Sequence, residues 1–559
     1  MDTVTRLSSV DKVGKTHAKL ILEIGSDVGR FHLESLGSRS QSHTTVLDND
    51  EIQQLFNKFA TVVNEKRFLS LRKFMAMISE SGILLEDPRL AESALKIEEQ
   101  LDKDENGLID IETFRKCITG NIVLIIKIWR DDLIIPNFKE FKTIIENGYN
   151  KAKELKGGKV ATYIPQLSRA SPDYWGVSIC TIDGQRYNLG DYDVPFCMQS
   201  CSKCISYAVA LNDLSSDFVH QFVGYEPSGA VFNELTLNEQ DQPHSPMINS
   251  GAIMVAALHK PDQHLSDRFE YIIKQFKKAA GGEYVGFDNA TYISEKETAD
   301  RNYALAYYMR EKKAFPPNTV LEDTMNLYFQ LCSTEIDCCS GAVMAATLAN
   351  GGICPITGEK TFSPIAVRDT LSQMFSCGMY NYSGQFAFKI GLPAKSGVSG
   401  AILIVIPNVM GICVWSPPLD KQGNSVRGLE FCNSLVEHCR FHRFDSLLKH
   451  SQTKFDPTNR FNDDNTGTLT AIQYAASCGD LTALRRLDIP DYDGRTALHL
   501  AAIGGHVAAV RFLVEKCDVP INYTDRWGNT PLDDAKKFNR QQVIDVLNKF
   551  LDSASNFPR

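Results

Sequence analysis

The C-terminal tail repeats itself, and that repeat restricts the architecture more than any other feature of the chain. Thr496-Ala-Leu-His-Leu-Ala501 returns as Thr530-Pro-Leu-Asp-Asp-Ala535 after 34 residues, and Gly505 and Asn539 keep the same offset. Ala475-Ala476 and Gly479-Asp480 mark an earlier, truncated copy. A unit of this size is one helix pair that cannot bury its apolar face alone, so successive copies must stack. The repeats take residues 469–551, with a short tail at 552–559 and a polar linker at 451–468.

The period and the T-P-L-H-x-A pattern are those of ankyrin units. What precedes them is too long for one core, so a chain of 559 residues must hold several domains. A net charge of −9 excludes the basic face that nucleic-acid binding needs. No apolar run reaches the length of a membrane span: Asn121–Trp129 is too short, and Ala401–Trp415 is broken by Pro407 and Asn408. Cys197, Cys201 and Cys204 have no second knuckle or histidine pair, so no metal site is expected among them.

Residues 1–45 read as a polar leader whose acids (Asp2, Asp11, Glu23, Asp27) suit a targeting peptide poorly. Over 46–134 four short amphipathic helices are expected, forming a small bundle or a pair of EF-hands. The first would carry Ile52, Leu55, Phe56, Phe59, Val62 and Val63, the second Leu69, Leu71, Phe74, Met75 and Ile78. Asp102, Asp104, Asn106 and Asp110 fall at calcium-loop positions 1, 3, 5 and 9, with Gly107 at the turn. Thr113 stands where calcium wants a bidentate Glu, so the loop is expected to be degenerate, with no metal bound.

Residues 135–450 read as a large α/β region. Trp175–Leu189 is a hairpin turning at Asp183-Gly184, and Ala401–Ile406 and Met410–Trp415 flank Pro407-Asn408-Val409. Helices between these pairs imply an antiparallel sheet closed from both ends and packed on a helical subdomain, with a last helix from Gly428 to Leu448.

Chemistry is expected at Ser200-Cys-Ser-Lys203. Three residues are just under one helical turn, so Lys203 lies beside Ser200. The residues that follow are apolar nearly all round, and burial lowers a lysine pKa until its amine can take a serine proton. Ser-x-x-Lys alone is a common accident, usually a capping serine with a solvated lysine. Here Lys395-Ser396-Gly397 opens the late strand pair, as in serine β-lactamases and penicillin-binding proteins.

The motif neighbourhoods are more specific still. Tyr163-Ile-Pro-Gln-Leu, Val194-Pro-Phe-Cys-Met-Gln-Ser200, His244-Ser-Pro-Met-Ile-Asn249, Asp300-Arg-Asn302, Tyr328-Phe-Gln-Leu-Cys, Ser376-Cys-Gly-Met-Tyr380 and Leu392-Pro-Ala-Lys-Ser-Gly-Val398 follow in order. From about residue 50 onward the chain resembles the animal kidney- and liver-type glutaminases. The resemblance implies hydrolysis of L-glutamine to glutamate and ammonia, for glutamine catabolism and glutamate supply. It makes Ser200 the nucleophile, Lys203 its base and Tyr380 a proton carrier, with Tyr163 beside them. Amides of Ser200 and Val398 would form the oxyanion hole; Asn249, Glu295, Asn302, Tyr328 and Tyr380 would hold substrate. It further implies no cofactor, inorganic phosphate as activator, a homotetramer and a mitochondrial address, with the cytosol as alternative. The loop Phe232–Asn238 departs from the kidney-type pattern by placing polar Thr236 at an aromatic position. Two rivals are a β-lactam or peptide hydrolase with the same nucleophile, and an ankyrin scaffold carrying an inactive hydrolase.

Overall fold

The computed structural model describes residues 44–63, 65–103, 107–229, 234–448, 454–459, 495–516 and 519–555. The chain divides into two compact units, Met1–Thr458 and Asn459–Arg559.

The front of the first unit pairs two helix–loop–helix elements: α1 (Thr44–Phe59), α2 (Leu71–Glu80), α3 (Ala91–Lys103) and α4 (Ile111–Ile118). Their apolar faces meet around Leu55, Phe56, Phe74 and Phe114, the last two rings edge-on at 5.1 Å. The loops are joined by strands β1 (Ala60–Val63), β2 (Lys66–Ser70) and β3 (Leu108–Ile109), with Leu69 opposite Ile109. Val62 and Val63 therefore do not continue the first helical face. They lie exposed in β1, and Leu69 belongs to β2 rather than to the second helix. The helical period runs on past the point where chain pairing with Lys66–Arg67 stops the helix. Asp102 lies in the last turn of α3, and Asp110 caps α4 by accepting the Thr113 amide at 2.8 Å. Asp104 and Asn106 lie outside the described residues.

The central domain begins with helix α5 (Phe138–Lys153) and the hairpin β4 (Gly176–Thr181) and β5 (Arg186–Gly190). The hairpin loop is longer than a two-residue turn, because Gln185 is buried and its amide donates to Ser81 and Ile135 carbonyls, which draws the loop onto the helical front. The helical subdomain follows: β6 (Phe196–Cys197), α6 (Ser202–Leu214), α7 (Asn249–Leu258), β7 (Val285–Phe287), α8 (Asn289–Glu297), α9 (Asp300–Glu311), α10 (Leu321–Cys332), β8 (Thr334–Ile336) and α11 (Cys338–Ala349). The chain then returns as β9 (Ala394–Ser396), β10 (Ala401–Ile406), β11 (Met410–Trp415) and helix α12 (Val426–His438).

The main sheet has the antiparallel order β5-β4-β11-β10-β9, so strands from the two ends of the domain do sit side by side at its centre. Alternation sends Ile402, Ile404, Ile412 and Val414 toward α5 and α12, and Leu403, Val405, Cys413 and Trp415 toward the helical subdomain. Helices thus cover both faces, and β4, β10 and β11 are buried throughout. Two features differ from the sequence expectation. A small sheet, β6-β8-β7, joins the segment before Ser200 to the segment before α8. The last helix stops at His438, because Cys439 turns extended and the Arg440 amide donates to the Phe455 carbonyl. Phe455 lies in the expected linker, so its described part is tied down, and Lys454 pairs with Asp445 at 3.2 Å.

The second unit contains α13 (Ala497–Gly504), α14 (Val507–Lys516), α15 (Pro531–Lys537) and α16 (Gln541–Ser555). Thr496 and Thr530 both open capping boxes, and Gly505 ends α13 in the left-handed conformation, φ 81°. His499 Nε2 lies 3.1 Å from the Asn529 carbonyl and links one repeat to the next. The truncated copy at Ala475–Asp480 falls outside the described residues. Since every candidate catalytic residue precedes 450, a chain ending near residue 450 is expected to keep in full the activity that the resemblance implies. Ammonia release from glutamine by the truncated protein checks this, and its loss would make the tail part of the catalytic machinery.

Candidate active site

Ser200 lies in a tight turn, Gln199–Cys201, immediately before α6 rather than within it. The turn is fixed on one side by β6, where the Met198 amide donates to the Thr334 carbonyl at 2.8 Å. α6 is buried from Ser202 to Leu211, as a helix apolar on nearly every side must be. Lys203, in its first turn, is 4% exposed and places Nζ 2.6 Å from Ser200 Oγ. Burial lowers the Lys203 pKa. The pair is therefore a hydroxyl with a desolvated amine in hydrogen-bond contact, which is the geometry of an activated nucleophile.

The Lys395-Ser396-Gly397 strand sits directly against this turn. A Cβ on Gly397 would lie 2.7 Å from the Met198 carbonyl and 3.2 Å from Cys201 Sγ, so only glycine allows the approach. Cys201 Sγ donates to the Lys395 carbonyl at 3.3 Å, closing the contact from the other side. Val398 follows in the tight turn that Gly397 and Ala401 close at 2.9 Å. The sequence reading used Lys395 only as a fold marker, yet its ammonium group is wholly buried and donates to the neighbouring Ser396 carbonyl at 2.8 Å. Burial, aided by Lys203, lowers its pKa to about 7. A lysine so depressed binds fewer protons folded than unfolded between pH 7 and its ordinary range, so wild-type stability rises with pH there. Lys395→Met lacks this rise. The difference in melting temperature, variant minus wild type, should shrink from pH 6 to pH 9, and a constant difference would contradict the assignment.

Tyr380 has a left-handed backbone, φ 53°, costly for an aromatic residue and maintained only where the surroundings impose it. Its phenol meets the Ser200 hydroxyl, and Lys395 Nζ lies 4.8 Å from its ring centre. Burial raises its pKa, so the phenol stays protonated. On the other side of Ser200, Tyr328 of α10 is 5% exposed, and Lys203 Nζ lies 5.6 Å from its ring. Cys332 follows one turn later on the same helix.

Glu295 is 6% exposed, near the end of α8, and burial raises its pKa against opposing hydrogen bonds from Tyr163 and Gln199 and the charge of Lys203. Tyr163 keeps much of its ring in solvent but donates its hydroxyl to Glu295 Oε1 at 2.5 Å. Asn249, the first residue of α7, donates from Nδ2 to Asn302 Oδ1 on α9 at 3.0 Å. α7 packs on α6 and α10, the helices that carry Lys203 and Tyr328. Gln199, which contacts both Tyr163 and Glu295, was missed from the sequence because only the fold reveals its partners.

Residues 158–444 match the family described as Glutaminase, residues 52–136 an EF-hand domain, and residues 472–554 ankyrin repeats. The chain is 49% identical to the mitochondrial glutaminase liver isoform of Rattus norvegicus over 89% of its own length and 83% of that relative. It is 45% identical to putative glutaminase 2 of Caenorhabditis elegans, over 94% of this chain and 90% of that one. Among solved structures, a probable glutaminase, ybaS, superposes with a TM-score of 0.52 at 34% identity, covering 54% of this chain and 96% of its own. A β-lactamase-like hydrolase domain, flanked by an EF-hand domain and ankyrin repeats, therefore carries the Ser200–Lys203 pair, and the chain belongs to the glutaminase family.

Proposed function

We propose that this glutaminase works by acyl transfer through Ser200. The observation that carries the reading is the 2.6 Å contact between Ser200 Oγ and the buried Lys203 amine. Neutral Lys203 takes the hydroxyl proton as Oγ attacks the carboxamide carbon of L-glutamine. Backbone amides of Ser200 and Val398 hold the developing oxyanion, and collapse of the tetrahedral intermediate expels ammonia, with Tyr380 relaying the proton from Lys203 to the leaving nitrogen so that phenol and neutral amine are both restored. Water then attacks the glutamyl ester, Lys203 taking the water proton and returning it to Ser200 Oγ as glutamate leaves.

The substrate's own charges select it. Glu295, buried without a cation bonded to it among the described residues, takes the α-ammonium; the Asn249–Asn302 pair and Tyr328 take the α-carboxylate end. Glutamine in place of a β-lactam or peptide follows from that small, doubly charged recognition set. Ammonia release from glutamine, asparagine and N-acetylglutamine tests it: turnover of glutamine alone is expected. Glu295→Gln should raise KM for glutamine about 10-fold or more, since a desolvated ammonium loses its counter-charge. N-acetylglutamine turned over as fast as glutamine would contradict the role.

By kinship the enzyme assembles as a homotetramer, responds to inorganic phosphate and supplies glutamate in the mitochondrion. The name of the rat relative supports the compartment. The Thr236 departure bears on the phosphate response: its hydroxyl meets His244 Nε2 at 3.3 Å, while Phe232 and Asn233 lie outside the described residues.

A further inference from the structure

Glu295 has two internal donors, and both reach the same oxygen. Gln199 Nε2 donates to Oε1 at 2.9 Å, and the Tyr163 hydroxyl donates to Oε1 at 2.5 Å. The Tyr163 oxygen also lies 3.0 Å from Gln199 Oε1, so carboxylate, amide and phenol form a closed three-membered ring of contacts. The amide orientation follows from chemistry: a carboxylate can only accept, so the NH2 group of Gln199 must face it.

We infer that Gln199 is a positioning residue that, with Tyr163, fixes Oε1 of Glu295 and so dedicates Oε2 to the substrate's ammonium group. This rests on the assignment of Glu295 to the α-ammonium made above. A carboxylate on the last turn of a helix has free rotation about its terminal bonds, and a cation can then be met by either oxygen in many geometries. Two donors on one oxygen remove that freedom before substrate arrives, which is how a site avoids ordering costs on binding.

The backbone gives an independent sign that Gln199 is held for a purpose. Its φ is +50°, in the left-handed region, although the residue is not glycine and is 3% exposed. Such a conformation is disfavoured for a residue with a Cβ and persists only when surrounding contacts fix it. The Gln199 NH2 group, donating to Glu295 Oε1, supplies one such contact. Gln199 is also the residue before the nucleophile, so one strained backbone position sets the direction of Ser200 and the ammonium clamp together.

Gln199→Met keeps the length and removes both polar ends. The expected result is a KM for glutamine raised about 10-fold or more, the worth of a hydrogen bond to a charged group, with kcat within a few-fold of wild type. A structural role alone would not move the second readout, the pH dependence of KM. Losing a donor leaves Glu295 harder to ionise, so the acidic limb of the KM profile should move to higher pH. The other titratable groups around Glu295 are Lys203 of α6, Tyr163, Cys197 of β6, and Tyr328 and Cys332 of α10. Burial raises the tyrosines and cysteines well clear of an acidic limb, and Lys203 acts in kcat. The double variant Gln199→Met/Glu295→Gln should bind no worse than Glu295→Gln alone, because the clamp acts only through that carboxylate. If Glu295→Gln raises KM while Gln199→Met leaves KM and its pH profile unchanged, the clamp is overturned and the substrate assignment stands. If Gln199→Met and Glu295→Gln add independently, Gln199 acts elsewhere and the clamp is likewise overturned. An unmoved KM in Glu295→Gln would instead sink the underlying assignment of the ammonium site. Gln199→Glu supplies a second variant of nearly the same shape: two carboxylates in contact resist joint ionisation, so it should raise KM at neutral pH and regain part of the loss as pH rises, and a KM equal to wild type at every pH would overturn the clamp.

Discussion

Ser200→Ala should lose glutamine turnover by about four or more orders of magnitude while melting within a few degrees of wild type. The change deletes one oxygen from a residue whose backbone is held from both sides, by β6 and by the Gly397 approach. Those contacts are made by backbone and by Cys201, so they survive the substitution. Glutamine should still bind, because Glu295 and the Asn249–Asn302 pair are untouched. Binding is measurable by calorimetry on the inactive variant, and turnover by ammonia release. Appreciable activity in the purified variant would remove Ser200 from the mechanism.

Lys203→Ala should cost about 10²- to 10⁴-fold in kcat, the usual range for loss of a general base. The sign of the pH effect separates this from general damage. Lys203 acts as base only when neutral, and burial lowers its pKa, so wild-type kcat should rise with pH along a limb set below the ordinary lysine range. In the variant that limb should vanish, leaving a low rate that tracks hydroxide. A pH–rate profile of unchanged shape would mean that another group takes the serine proton. Lys395 is the neighbour to examine then, since it is equally buried and has a pKa near 7.

Legibility from sequence followed the range over which each element is specified. Ser200 and Lys203 were readable because a single helical turn brings them together, and the burial of that helix is written in residues 204–211, of which only Ser206 and the Tyr207 hydroxyl are polar. The ankyrin caps were readable for the same reason: Thr, the third residue after it and the following Gly or Asn act within one turn. Glu295, Asn249, Asn302 and Tyr328 come from four different helices, and no local pattern joins them. Only resemblance singled them out, and the helical subdomain is what brings Glu295 to Tyr163 and Asn249 to Asn302. Gln199 went unnoticed although it adjoins the nucleophile, since its two partners are distant in sequence.

The errors have physical causes as well. Val62 and Val63 continue a helical spacing, but a strand of alternating contacts accommodates the same residues once β2 offers backbone partners. Strands β6, β7 and β8 have two or three residues each, too few to show a period of two. They nonetheless matter, because β6 leads into the turn that carries Ser200 and β7 leads to the helix that carries Glu295.

The central claim is that glutamine is cut through an ester on Ser200, and it can be read directly by mass. Enzyme quenched in acid during steady-state turnover of glutamine should yield a peptide spanning Ser200 that carries one added glutamyl group. Fragmentation should place that group on Ser200, and the adduct should be missing from Ser200→Ala. An adduct on another side chain, or turnover with no covalent glutamyl species under conditions where deacylation limits the rate, would contradict the account.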